Sequence, residues 1–376
     1  MKLATFSFDA AAGWSVTPFP DLDSPQTLVL VFGSPEYLED PAAIRALAEA
    51  YPSSTLAGCS SAGEIFGAHI RDKSLSVAVL AFERTAVRRT AVPVTAGASS
   101  VAPGEALARA LDAPDLRAIL LLSDGMAVNG TELLKGIHRV VRPEVSVTGG
   151  LAGDGSRFKQ TWVLAGDGPV SGAVVGIGLY GDSVGVSHGS RGGWDVFGPE
   201  RVVTRSVGNV LYELDGQPAL ALYKAYLGER AAGLPATALL FPLALRSSDS
   251  SKTVVRTILS VDEQAQSMTF AGDVPHESIV QLMRANFDRL IEGASQASQA
   301  ALAPRGDTLS VAVSCVGRRL VLGERAEEEV EAVVDALPEG GKLVGFYSYG
   351  EICPFAIGEP GVLHNQTMTL TRLWEA

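Results

Sequence analysis

Apolar residues in this chain come in short runs and helical stripes that repeat in one order. Leu28–Gly33 (LVLVFG) is a continuous apolar run of strand type. Asp40 and Pro41 then predict a helix start, and Ile44, Leu47 and Ala48 its buried stripe. A glycine-bearing stretch follows, and Ser74–Phe82 alternates as a strand does. The second unit has the same order. Ala118–Gly125 reads as a strand ending in a polar turn, Thr131 as the cap of a helix carrying Leu133, Leu134, Ile137 and Val141, and Gln160–Gly166 as a further strand. Gly172–Gly181 and Val184–Gly189 add two more strands. The closing part repeats the order once more: TLSVAVSC, a helix from about Glu324 to Leu337, a glycine stretch, and HNQTMTLTRLW.

Between these units, from about Arg201, lies a different pattern. Val202–Leu214 ends at an Asp-Gly turn, a helix runs from Pro218 to Leu227, and ALLFPLAL and VVRTILSVD read as paired strands. The spacing of Ile279, Leu282, Met283, Phe287 and Leu290 predicts a helix from Pro275, with Asn286 a polar residue on its apolar stripe. The expected fold class is therefore α/β: mixed β-sheets with outer helices, built from pseudo-symmetric duplicated strand–helix–glycine loop–strand units. Connections such as those joining QTWVL, GAVVGIGLY and VGVSHG are too short for parallel crossovers, which need about a dozen residues. The expected division is into two domains, 25–216 and 217–376.

The glycine stretches carry the strongest repeat. Gly58–Ile65 reads GCSSAGEI and Gly345–Ile352 reads GFYSYGEI, sharing G-x-x-S-x-G-E-I; GGLAGDG at Gly149–Gly155 is a looser copy. Glu64 and Glu351 therefore hold matched places. Each is either a loop carboxylate that accepts backbone N–H bonds or part of a ligand clamp. GCSSAGEI is not a nucleophile elbow, because neither serine has glycines two positions to both sides. GIGLYG at Gly176–Gly181 matches the dinucleotide fingerprint, but no helix begins there.

Composition narrows the function. With 376 residues, 47% hydrophobic and 19% charged, the chain is globular, and its net charge of −12 argues against a nucleic-acid or anionic-membrane surface. The opening residues lack a signal-peptide core, and Thr237–Leu245 is too short to span a bilayer, so a cytoplasmic protein is expected. The three cysteines, Cys59, Cys315 and Cys353, have neither disulfide nor zinc spacing.

Among the histidines, His188 lies in VSHGSRGGWDVFGP with glycines at 185, 189, 192 and 193. Glycines beside a histidine leave room for a flat cofactor, and a neutral imidazole is an axial ligand for haem iron. His364 opens HNQT, where it can share a pocket with Asn365 and Gln366.

Taken in order, GCSSAGEI, GGLAGDGSRF, GAVVGIGLYG, VTRSVGNVLYELDGQPALALYKAYLG, SCVGRRLVLG and GFYSYGEICPFAIGE with HNQTMTLTRL resemble the FIST-domain family, from about Leu28 to the end. The resemblance implies a non-enzymatic sensor of bacterial signalling that binds small ligands, with amino acids proposed, and acts through a separate partner such as a histidine kinase. The SHG, FPL and VVRTIL stretches are similar to stand-alone nitric-oxide-sensing haem proteins of the family. That implies haem b, and the local sequence assigns its iron to His188. A haem-free alternative is an amino-acid binder whose pocket holds Glu64, Glu351, Asp154, Tyr347 and Asn365, with His364 beside it. A third is an enzyme using Cys59 or Cys353 with His364.

Overall fold

The computed structural model describes residues 1–166, 168–247 and 252–376. Its strands form four sheets among the described residues, with helices packed outside them.

Three of the sheets share one plan. In the first, Thr27–Gly33 pairs in parallel with Thr55–Ser60 across the helix Ala42–Ala50, and Ser74–Ala81 returns antiparallel to Thr27–Gly33. In the second, Leu116–Ser123 pairs in parallel with Ser146–Leu151 across the helix Gly130–His138, and Ala173–Tyr180 returns antiparallel. In the third, Leu309–Cys315 pairs in parallel with Lys342–Ser348 across the helices Val316–Leu322 and Ala326–Asp335, and Met368–Glu375 returns antiparallel. Each parallel pair needs a crossover, and a helix provides it.

The three sheets exchange edges in a ring. Glu64–Phe66, which follows the first parallel pair, joins the third sheet beside Lys342–Ser348. Val163–Leu164 leaves the second unit and joins the first sheet at Cys59. Gly350–Pro354 leaves the third unit and joins the second sheet beside Ser146–Leu151. No sheet is completed by its own unit.

The fourth sheet is antiparallel and lies between Gly193 and Ala285. Asp195–Val207 is its long central strand, pairing with Val210–Leu214 on one side and Ile279–Arg284 on the other. The expected boundary at 216/217 falls inside this sheet, since strands on either side of it are hydrogen-bonded together.

Two sequence expectations are corrected here. The helix from Pro275 is a strand over Ile279–Arg284, where Val280 and Leu282 are buried in alternation. The helix begins only at Phe287, and Asn286 is its cap, its side-chain oxygen accepting from the Arg289 N–H at 3.3 Å. An accidental helical spacing of apolar residues masked a β-branched Ile-Val pair and a capping asparagine. Likewise Asn129, not Thr131, caps Gly130–His138, accepting from Thr131 N and Glu132 N.

The repeated first glycine of each octapeptide has one cause. A Cβ on Gly58 would lie 1.9 Å from the Val31 carbonyl oxygen, and one on Gly345 2.0 Å from that of Ala312. Each sits where two parallel strands press together. Among the described residues no helix is long and apolar enough to cross a membrane.

Candidate functional site

The glycine loops of the three units meet and bond to one another. Ala62 N–H donates to the Tyr347 carbonyl at 2.9 Å and Tyr347 N–H to that of Gly63 at 3.0 Å; Gly153 N–H reaches the Ser60 carbonyl at 3.1 Å, and Tyr349 N–H that of Leu151 at 3.0 Å. Two cavities open around this junction.

The larger holds about 550 Å³. Its wall combines the turn Gly125–Asn129, Phe158 and Leu151 with Thr257, Phe270, Gly272, the start of the helix Val316–Leu322, and Tyr349. Phe158 and Tyr349 stack at 4.7 Å between ring centres, 11° apart, and form a flat part of that wall. The smaller cavity, about 430 Å³, is polar and carries both signs of charge, with Glu64, Asp154 and Asp72 beside Arg157 and Arg319. The two share a link: Asp154, on the smaller cavity, accepts from the hydroxyl of Tyr349, on the larger.

Glu64 is buried, and its Oε2 accepts from Ser74 N–H at 3.1 Å and Ser74 Oγ at 2.9 Å. Glu351 repeats this arrangement with Thr367, whose N–H and Oγ1 reach its Oε2 at 3.0 and 2.9 Å, while Ser348 Oγ reaches Oε1 at 2.7 Å. Burial pushes the Glu64 carboxyl up to about 8 and the Glu351 carboxyl up to about 7, against the pull of these hydrogen bonds. Asp154 differs. Burial alone would raise it, but the Tyr349 hydroxyl and the N–H groups of Gln160, Lys159 and Phe158 hold it below the usual carboxylate range.

The expected ligand residues do not gather in one place. Glu64 and Asp154 share the smaller cavity. Tyr347 is fully buried and donates to Glu329 at 2.6 Å. His364 turns its Nε2 to the Cys353 carbonyl at 2.9 Å, and burial pushes its imidazole down to about 4. Asn365 and Gln366 are fully buried with neither side-chain oxygen nor nitrogen hydrogen-bonded. Tyr349, Thr257 and Gly317, all on the larger cavity, escaped the sequence reading. For Tyr349 a signal existed, since it stands two places after Tyr347 in the octapeptide.

His188 lies on the strand Val184–Arg191, with Nδ1 3.6 Å from Cys353 Sγ. The room its glycines leave is filled by protein. A Cβ on Gly189 would lie 2.1 Å from the Ala297 carbonyl oxygen, one on Gly193 2.0 Å from that of Arg289, and one on Gly185 2.0 Å from Trp374. The helix Phe287–Ala300 and Trp374 thus pack the strand face that bears Gly185 and Gly189, opposite the face on which His188 meets Cys353, and His188 lines neither of the two cavities. Among the described residues no group of three or more His, Cys, Asp or Glu side chains could hold a metal ion.

The three cysteine thiols are buried, and burial raises each; Cys353 is pushed up to about 12. His364, the expected base, bonds the Cys353 backbone and not its sulfur.

No curated protein matches the chain. A family model for the FIST N domain matches residues 27–217, and one for the FIST C domain matches residues 219–354. The chain belongs to the FIST family, whose domains are associated with small-ligand sensing in signal transduction.

Proposed function

We propose that this chain is a small-ligand sensor whose ligand occupies the 550 Å³ cavity, and that it reports to a separate signalling protein such as a histidine kinase. One observation carries the reading: the cavity wall is drawn from both family-matched regions, with Gly125–Asn129, Leu151 and Phe158 from the first and Thr257, Phe270 and Tyr349 from the second. A ligand there touches both at once. It also touches Tyr349, whose hydroxyl holds Asp154 and so the 158–160 loop. A ligand that prefers one position of that loop shifts its population, which is how binding reaches a partner surface. The test is a thermal-shift screen of small metabolites, followed by hydrogen exchange over residues 154–160. Stabilisation with slower exchange there supports the reading; no stabilising compound would remove it.

A second reading has its own support. The 430 Å³ cavity sets the Glu64 carboxyl and the charged Asp154 and Asp72 beside Arg157 and Arg319, the pattern a free amino acid would need. Stabilisation by an amino acid that is lost in Arg157→Ala would favour it. The nitric oxide form of the sensor would need haem at His188, which lines neither cavity.

A further inference from the structure

We infer that the 550 Å³ cavity takes an uncharged ligand in which a flat amide- or imide-like edge is joined to an apolar or aromatic body. This rests on the reading of that cavity as the sensory site and names the chemistry it selects.

Among the described residues Glu132 is the one charged residue on the wall, and its Oε2 accepts from Ser99 Oγ at 3.0 Å and Ser100 N–H at 2.8 Å. Arg256, buried behind Gly272, directs Nε to the Asp273 carbonyl at 3.0 Å and Nη1 to those of Val255 and Leu363. An anionic ligand would lose its hydration and meet no counter-charge, and a cation would meet only Glu132, whose carboxylate is already held by Ser99 and Ser100. Most of the remaining surface is apolar or flat: Leu151, Leu239, Leu259, Phe270 and the Phe158–Tyr349 stack.

Against this apolar wall stand polar atoms with no partner. Thr257 lines the cavity and is 5% exposed, and its Oγ1 makes no hydrogen bond. Gln366 is fully buried with both side-chain atoms unpaired, and its amide lies against Gly317 on the cavity wall: a Cβ there would be 2.4 Å from Gln366 Nε2 and 2.8 Å from Oε1. The Gln366 backbone is fixed, its carbonyl accepting from Trp194 Nε1 at 2.8 Å and from Arg318 Nη1 at 3.4 Å. Buried polar groups are almost always paired, so unpaired ones at a cavity wall call for a partner; Thr257 is in the wall itself, and the Gln366 amide lies directly behind Gly317. A carboxamide shows a donor and an acceptor side by side, and its complement is another amide or imide edge; the rotating hydroxyl of Thr257 suits either partner.

The experiment uses the full chain with two flat probes, lumichrome and its 3-methyl derivative, which differ in the imide N–H, alongside thymine, L-leucine and L-glutamate. Thermal shift and titration calorimetry are read in the wild type, Thr257→Val and Gln366→Met. Lumichrome or thymine is expected to stabilise the wild type, 3-methyl-lumichrome to bind less tightly than lumichrome, and each variant to weaken binding about tenfold or more. The variants remove unpaired groups, so the ligand-free proteins are expected to be no less stable than the wild type. Stabilisation by the amino acids but not by the neutral probes would overturn the ligand class and leave the sensor reading standing. Stabilisation by none would overturn both. Equal binding in wild type and variants would overturn the role given to Thr257 and Gln366.

Discussion

Arg318 and Glu329 form an ion pair in which both side chains are fully buried, with Arg318 Nη2 2.8 Å from Glu329 Oε2. The other carboxylate oxygen accepts from Tyr347 at 2.6 Å and Ser314 at 3.0 Å. Arg318 also donates to the carbonyls of Leu290 and Gly192, so it ties the third unit's helices to the segment after His188. Removing one partner leaves a buried charge alone. Glu329→Gln is expected to cost about 3–5 kcal/mol in urea unfolding. A loss under about 1 kcal/mol, as for exposed pairs, would mean that water reaches the site.

Glu64 gives the protein a pH dependence of definite sign. Its folded value of about 8 exceeds the ordinary 4.5, so between those values the native state holds a proton the unfolded chain has released. Its contribution to stability is full below 4.5 and lost as pH rises toward 8. His364, pushed down to about 4, works the other way, gaining with pH up to 6.5. Glu351, with a folded value of about 7, acts in the same direction as Glu64 up to that pH, so the clean window is pH 7 to 8.5. There the melting temperature of the wild type is expected to fall more steeply than that of Glu64→Gln. Parallel curves would show that the acid is ionised throughout.

Gly345→Ala drives a methyl group against a backbone carbonyl that no side-chain rotation can relieve. The expected loss is about 3 kcal/mol or more, at the upper end for overpacking. Gly166→Ala, with nothing within 4 Å, serves as the control and is expected to stay within about 0.5 kcal/mol. Similar losses at both positions would contradict the close strand approach.

Added haem is expected to give a broad, weak Soret band that His188→Ala leaves unchanged, because His188 is buried and lines neither cavity. A sharp band at one haem per chain, abolished by the substitution, would place haem at His188.

Iodoacetamide at neutral pH is expected to leave Cys59, Cys315 and Cys353 unlabelled in the native protein and to label all three in urea. Rapid native labelling at Cys353 would show that His188, 3.6 Å from its sulfur, activates the thiol despite burial.

Much of this was legible along the chain, because local chemistry sets it. Apolar runs placed Thr27–Gly33 and Ala173–Tyr180, and the repeated glycines marked places where strands touch. Glu64 and Glu351 were recognised as matched, and they share a Ser or Thr partner supplying both an N–H and a hydroxyl. The cavities were not legible. Thr257 and Tyr349 are 92 positions apart, and only the packing of the fourth sheet beside the junction of glycine loops brings their segments to one wall. Ile279–Arg284 was misread because helical spacing can arise by chance in a strand flanked by apolar residues. Its neighbours Asp195–Val207 and Leu243–Arg246 decide the matter from far away.

The ring of exchanged strands also bears on how the polypeptide is made. Ser146–Leu151 leaves the ribosome long before Gly350–Pro354, the segment that covers its open side. Until then a row of unpaired backbone groups faces the cell, and such rows invite wrong partners. The nascent chain therefore has a long vulnerable interval, closed only when Gly350–Pro354 has emerged. A truncation anywhere before that segment would leave a permanently open edge, and aggregation would follow from geometry alone, whatever the fate of the ligand site.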